Sequence, residues 1–239
     1  MPAHATPLDV SRANQTLLGV YENAWDELLR LRQLDRKVST PHLVRIPKGY
    51  EELSVRVAIV GQQTANSEPW GDERSASELF DRYPEDGVVG SRRGSPFWRA
   101  ARQVTDALAG QDDAPVLWAN LVAVDVGGRR PPAAVRDAAR RAVPPHGLLR
   151  HVLAAAQPDA VVFFVGPTGY YGWELGQQYP DLQTEPVDGY PARTLHRLVH
   201  PELECVAFRT YHPAYLQRST QWDIVDALPV LVRAALRTA

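Results

Sequence analysis

Val55-Arg56-Val57-Ala58-Ile59-Val60-Gly61-Gln62-Gln63-Thr64-Ala65-Asn66 is the stretch whose reading decides the fold. Five of its first six residues are apolar, mostly β-branched, and the run stops at a glycine followed by small and amide side chains. A short apolar run without alternation marks a strand buried on both faces, the kind found in parallel sheets. Gly61 is expected to let the backbone turn sharply, leaving Gln62, Gln63 and Asn66 at the carboxyl end of that strand. Ligand sites of open α/β sheets lie at such ends.

The rest of the chain repeats this pattern. Pro115–Ala119 leads into Asn120, Ala160–Val165 into Gly166, and Leu203–Phe208 into Thr210-Tyr211-His212-Pro213; each reads as a buried strand. Between them, helices are expected over Gln15–Lys37, Ser75–Asp81, Phe97–Leu108, Ala133–Ala142, His146–Ala156, Tyr170–Gln178 and Thr220–Leu236. Ser95-Pro96 caps the third of these, and Pro229 should kink or split the last. Residues 1–14 are polar, and Ser39–Glu52 reads as a connector with Pro41 and Pro47. Strands alternating with helices predict an α/β fold, a three-layer α/β/α sandwich on a four-stranded parallel sheet. The division is 1–54 as an N-terminal helix and connector packed on a domain spanning 55–239. The long polar stretch Thr64–Ser95 marks a functional loop. All four polar clusters, at Gly61, Asn120, Gly166 and His212, follow strands, so they should meet in one cleft.

Composition bounds the function. The 239 residues are 44% hydrophobic and 23% charged, with a net charge of −2 and a pI near 6.4. That suffices for one domain with a substantial core and gives no global field toward polyanions, so nucleic-acid binding would need a local patch. One cysteine, Cys205, excludes a disulfide framework, a four-cysteine zinc site and a cysteine-ligated iron–sulfur cluster. No apolar run approaches a membrane span, and the start MPAHATPLDV lacks a signal-peptide core, so the expectation is a cytoplasmic monomer without metal or cofactor.

Five motifs, in order, carry a resemblance. Gly61-Gln62-Gln63-Thr64, Gly94-Ser95-Pro96-Phe97, Trp118-Ala119-Asn120-Leu121, Val165-Gly166 and Thr210-Tyr211-His212-Pro213 with Leu216 and Arg218 resemble the uracil-DNA glycosylase superfamily, most of all its iron–sulfur branch. The resemblance implies a DNA partner, single- or double-stranded, and a base flipped from the stack into a pocket. Phe97 would then stack on the base; its competing reading is an ordinary core residue. Asn120 would bond the base edge, against a competing role as a helix cap or loop anchor. Gly61 and Thr64 would complete the substrate-binding wall. His212 would donate to the base oxygen as charge develops. Tyr215, Leu216 and Arg218 would enter DNA, and Arg129 and Arg130, with Arg92 and Arg93, would meet phosphate.

Two departures qualify that resemblance. The branch's four cluster cysteines are absent. Its first motif also carries a carboxylate or a water-positioning Asn where this chain has Gln62 and Gln63. An amide cannot act as general base, but with His212 these two remain the expected catalytic residues, able to orient a water or bind a base edge. Glu68, Asp72 and Glu73 are the nearest substitutes in sequence. Three functions therefore stay open: a DNA glycosylase-like enzyme, a catalytically impaired binder of nucleic acid or bases, and a small-molecule or nucleotide-handling α/β enzyme. The last lacks any GxxxxGK or GxGxxG signature.

Overall fold

The computed structural model describes residues 7–64, 70, 75–83 and 94–238. Six strands form one sheet: β1 (Val57–Gln63), β2 (Leu117–Val122), β3 (Ala160–Phe163), β4 (Gln183–Pro186), β5 (Leu195–Val199) and β6 (Val206–Thr210). Their order is β2-β1-β3-β6-β5-β4. The first four run parallel, while β5 and β4 extend the sheet antiparallel beyond β6. The α/β class holds, but the expected four-stranded parallel sheet is corrected to a mixed six-stranded one. The physical reason lies in β4: Gln183-Thr184-Glu185-Pro186 is exposed throughout and has no apolar run to betray it. A proline and a charge suit a sheet margin, where they discourage edge pairing.

Helices cover both faces: α1 (Val10–Leu34), α2 (Ala76–Phe80), α3 (Pro96–Ala109), α4 (Ala133–Arg141), α5 (Leu148–Ala156), α6 (Gly169–Gln178), α7 (Pro213–Arg218) and α8 (Asp223–Leu236). Alternation along the strands divides the core. Ala58, Val60, Val161 and Phe163 pack with α1 and α5, whereas Val57, Ile59, Val162 and Phe164 pack with α3 and α8. The N-terminal helix shares the first of these cores through Leu17, Tyr21, Leu28 and Leu31. It begins at Val10, inside the stretch read as polar, because the Asp9 carboxylate accepts from the Arg12 amide at 3.0 Å and caps it.

Local rules set the other ends. The Ser95 hydroxyl accepts from the Trp98 amide at 3.3 Å, Pro96 fits the first turn, and Gly110 closes α3 at φ 72°. The break expected at Pro229 does not divide α8, which runs on from Asp223 to Leu236. Leu228 and Val232, both fully buried on either side of the proline, bind that turn to the core. Among the described residues no helix is long and apolar enough to cross a membrane.

Candidate functional site

Gly61 does not turn. It lies inside β1, paired with Asn120 of β2, and the strand continues through Gln62 and Gln63. Its lack of a side chain serves space instead. A Cβ there would sit 2.6 Å from Asn120 Oδ1 and 3.2 Å from Phe97 Cε2, closer than packed atoms allow. Bare backbone at this point lets an aromatic ring and an amide converge on one strand. Asn120 is likewise within a strand, so neither a helix cap nor a loop anchor describes it.

Phe97 sits in the first turn of α3, which Ser95 and Pro96 fix in direction. It is half-buried and meets Trp98, Trp118 and Phe164 edge-on. His212 lies nearly parallel to it, at 5.8 Å and 19°. Asn120 is buried, with Nδ2 3.2 Å from Nδ1 of His42. His42 in turn is held between Tyr83, at 5.3 Å, and Trp118, at 4.1 Å. This contact occupies one end of the Asn120 amide, and its Oδ1 faces Gly61.

His212 caps α7, with Nδ1 accepting from the Ala214 amide at 3.2 Å. An accepting Nδ1 places the neutral ring's proton on Nε2, leaving that atom a donor. Burial, and then the Arg218 guanidinium, lower its pKa to about 4. The imidazole is therefore neutral at pH 7. Among the described residues, no carboxylate contributes to that shift.

The amides of the first motif separate. Ile59 and Gly61 face α3, but strict alternation stops beyond them: Val122, the β2 partner of Gln63, packs in the α1–α5 core together with its neighbour Leu121. Gln63 Oε1 accepts from the Tyr171 hydroxyl of α6. Gln62 Nε2 donates to the Val165 carbonyl at 3.4 Å. Thr64 is buried and meets the Ser39 hydroxyl at 3.4 Å, so it supports the connector rather than lining the space beside Phe97. Of these residues, Gly61, Phe97, Asn120 and His212 meet, while Gln63 bonds to Tyr171 of α6, whose ring packs against the α1–α5 core.

The segment after His212 is a short helix rather than an extended loop, and it corrects one expectation. Leu216 is 0% exposed and packs in the α3–α8 core, so it does not reach toward DNA. Tyr215, 43% exposed and 4.4 Å from the Tyr211 ring, is the side chain that this turn presents, with Arg218 also exposed. Arg129 and Arg130 are exposed as well. Asn66, Glu68, Asp72, Glu73, Arg92 and Arg93 lie outside the described residues. Cys205 is partly buried, and burial pushes its thiol up to about 12.

Three contributors were not read from the sequence. His42 stands in a connector, where only Pro41-His42 before an apolar pair marks it. Tyr171 falls within a helix whose partners sequence spacing does not reveal. Arg209 interrupts the otherwise apolar β6 yet is only 8% exposed. It faces His196 across β5, its Nε has no hydrogen-bond partner, and burial lowers its pKa. Among the described residues no carboxylate pairs with it. The chain matches no model of a known protein family and no curated protein.

Proposed function

We propose that the protein is a DNA glycosylase-like enzyme that takes an altered base, uracil above all, from the DNA stack and breaks its N-glycosidic bond. The observation carrying this reading is the convergence of Phe97 and Asn120 on the side-chain-free backbone of Gly61, with His212 stacked alongside. A base laid on the Phe97 face is held by dispersion and stacking, and the free end of the Asn120 amide bonds its edge. As the bond from C1′ to the base nitrogen lengthens, its electron pair passes to the base and spreads onto the carbonyl oxygen. His212 Nε2–H donates to that oxygen, and a neutral donor in a dry site stabilises the anion without costly reorganisation. Water then adds to the sugar carbon and loses a proton to solvent, yielding free base and an abasic site. The test is incubation with uracil-containing single- and double-stranded oligonucleotides followed by alkali. Strand cleavage after base release is expected; its absence over a panel of deaminated and modified bases sinks the enzymatic reading.

A second reading, a binder that captures bases without cleaving, is favoured by one feature. Gln63, two residues past Gly61 at the end of β1, already accepts from Tyr171 and cannot serve as a general base. The two readings part in a pair of variants. Gln63→Asp and Gln62→Asp each return a carboxylate to the first motif, and in an enzyme that lacks only its general base one of them should raise base release by about 10²–10⁴-fold. Bases still held without release in both variants would favour the binder.

A further inference from the structure

We infer that α4 and α6 carry a platform for a single-stranded nucleic acid, on which bases flanking the flipped one stack; the inference rests on the base-handling reading above and names its substrate class. The platform is an alternating stack of cations and rings. Arg130 lies over Tyr170 at 4.8 Å, Arg136 lies over Tyr170 at 4.8 Å and over Trp173 at 3.9 Å, and Arg140 lies 5.4 Å from Trp173. Guanidinium groups over the rings hold them in place, and the ring surface left open to a neighbour is that of Trp173. Trp173 is 44% exposed, among the few large hydrophobic side chains left open to solvent.

The arrangement is built rather than incidental. Glu174, 1% exposed, receives Arg136 at 3.3 Å and Arg140 at 2.7 Å, and Asp137 receives both guanidinium groups as well. These carboxylates aim the two arginines at the Trp173 ring. Arg129 and Arg130 make no ion pair among the described residues, so Arg129, Arg130, Arg136 and Arg140 stand against Asp137, Glu174 and the buried Asp125 of the same loop, an excess of positive charge suited to phosphate. It also adjoins the pocket. The Tyr171 hydroxyl donates to Gln63, and the Tyr170 hydroxyl donates to the Pro131 carbonyl at 2.9 Å, fixing the first turn of α6 between the β1 strand and the arginine loop. The first turn of α6, with Tyr170 and Tyr171, and the exposed Trp173 after it therefore lie beside the carboxyl end of β1. Unpaired bases present faces to such rings; bases in a duplex keep theirs against each other. Basic grooves with interleaved aromatics bind single strands in this way.

The test compares affinities of the full chain for a fluorescent single-stranded oligonucleotide and for its duplex, by anisotropy across a salt series. Trp173→Ala should weaken single-strand binding about 5- to 150-fold, the loss of one stacked base, and change duplex binding less than twofold. Arg130→Ala, at an exposed position where folding is not at stake, should lower the single-strand salt slope by about 0.7. Unchanged single-strand affinity in both variants, or equal losses for duplex and single strand, overturns the platform. Base release serves as the separate readout. If the chain releases uracil but Trp173→Ala binds single strands normally, the platform fails and the enzyme reading stands. If Trp173→Ala weakens single-strand binding but no base is released, the platform stands alone.

Discussion

The two faces of the sheet treat charge in opposite ways at its carboxyl edge. Toward α3, the edge is aromatic and neutral: Phe97, Trp118, Phe164 and an imidazole whose pKa has fallen to about 4. Toward α4 and α6, it is ionic, with Arg136, Arg140, Asp137 and Glu174 locked together beneath exposed rings. Desolvation is the common cause and the partners make the difference. Glu174 is buried, and burial raises its pKa, while Gln178 and two arginines offset part of that by favouring its charged form. His212 has only a cation nearby, so it sheds its proton. A dry neutral edge suits stabilisation of charge that appears during a reaction, because donors there act at low dielectric. An ionic edge suits holding a charged polymer.

The largest effect should come from breaking the neutral edge at its floor. In Gly61→Ala the new methyl group would need the space now taken by Asn120 Oδ1 and Phe97 Cε2. The strand cannot yield, since Gly61 pairs within a fully buried ladder. The ring and amide must move apart, at a stability cost of about 1–3 kcal/mol. Base release should fall by at least about 10³-fold, since a displacement near 1 Å alone costs on the order of 10²-fold and two groups move here. Denaturant titration and a single-turnover assay measure the two quantities. Normal activity in a folded Gly61→Ala would show that Phe97 and Asn120 do not act together.

His212 comes next. His212→Ala should slow base release about 10²–10³-fold, the usual loss for one oxyanion donor, while leaving nucleic-acid affinity within a few fold. The pH profile separates this role from a structural one. With a folded pKa near 4, the rate should pass through pH 6.5 without inflection and fall only as the ring charges near pH 4. Stability follows with a definite sign. The unfolded chain takes up this proton near pH 6.5 and the folded one near pH 4, so the contribution present above pH 6.5 is lost as the pH falls toward 4. The slope in that window should not exceed about 1.4 kcal/mol per pH unit for this group, and should vanish in His212→Ala. An inflection at pH 6.5 that persists in the variant would assign the titration elsewhere.

What could be read in advance divides along similar lines. The four parallel strands show in the sequence because each carries a buried apolar run, broken only near its carboxyl end. β4 does not, because an exposed edge strand is held by backbone hydrogen bonds that composition does not record. Gly61, Asn120 and His212 could be placed together from their positions toward the carboxyl ends of strands, since topology brings such ends to one edge, whereas Phe97, on a helix, was joined to them only by the resemblance. Gly61 was located correctly but for the wrong reason: a glycine needed for clearance and one needed for a turn look alike until the neighbours are known. Leu216 shows the same limit, since motif position does not tell whether a side chain points inward. His42, Tyr171 and Arg209 depend on partners 78, 108 and 13 residues away in sequence, and no local pattern marks such pairings.

Arg209 offers the smallest effect and the sharpest check on the ionic face. Val60, Phe163, Arg209 and His196 form one row across four strands, a mostly apolar row interrupted by two groups able to carry positive charge. Neither Arg209 Nε nor His196 Nδ1 has a hydrogen-bond partner. A buried cation without an anion lacks the compensation that Glu174 gives Arg136, so it contributes little to stability through its charge. Arg209→Met keeps the stem and removes the guanidinium. Its unfolding free energy should match or exceed that of the parent, with a gain of about 1 kcal/mol, where the equivalent truncation at Arg136 would cost energy by removing one of the two cations that compensate the buried Glu174. A second readout tests the cause. The His196 pKa is lowered by burial and then by Arg209, so removing the guanidinium should move its NMR titration midpoint upward. A loss of stability beyond about 1 kcal/mol with an unmoved His196 would mean that the guanidinium has a partner of its own, and that this face of the sheet pairs its buried charges throughout.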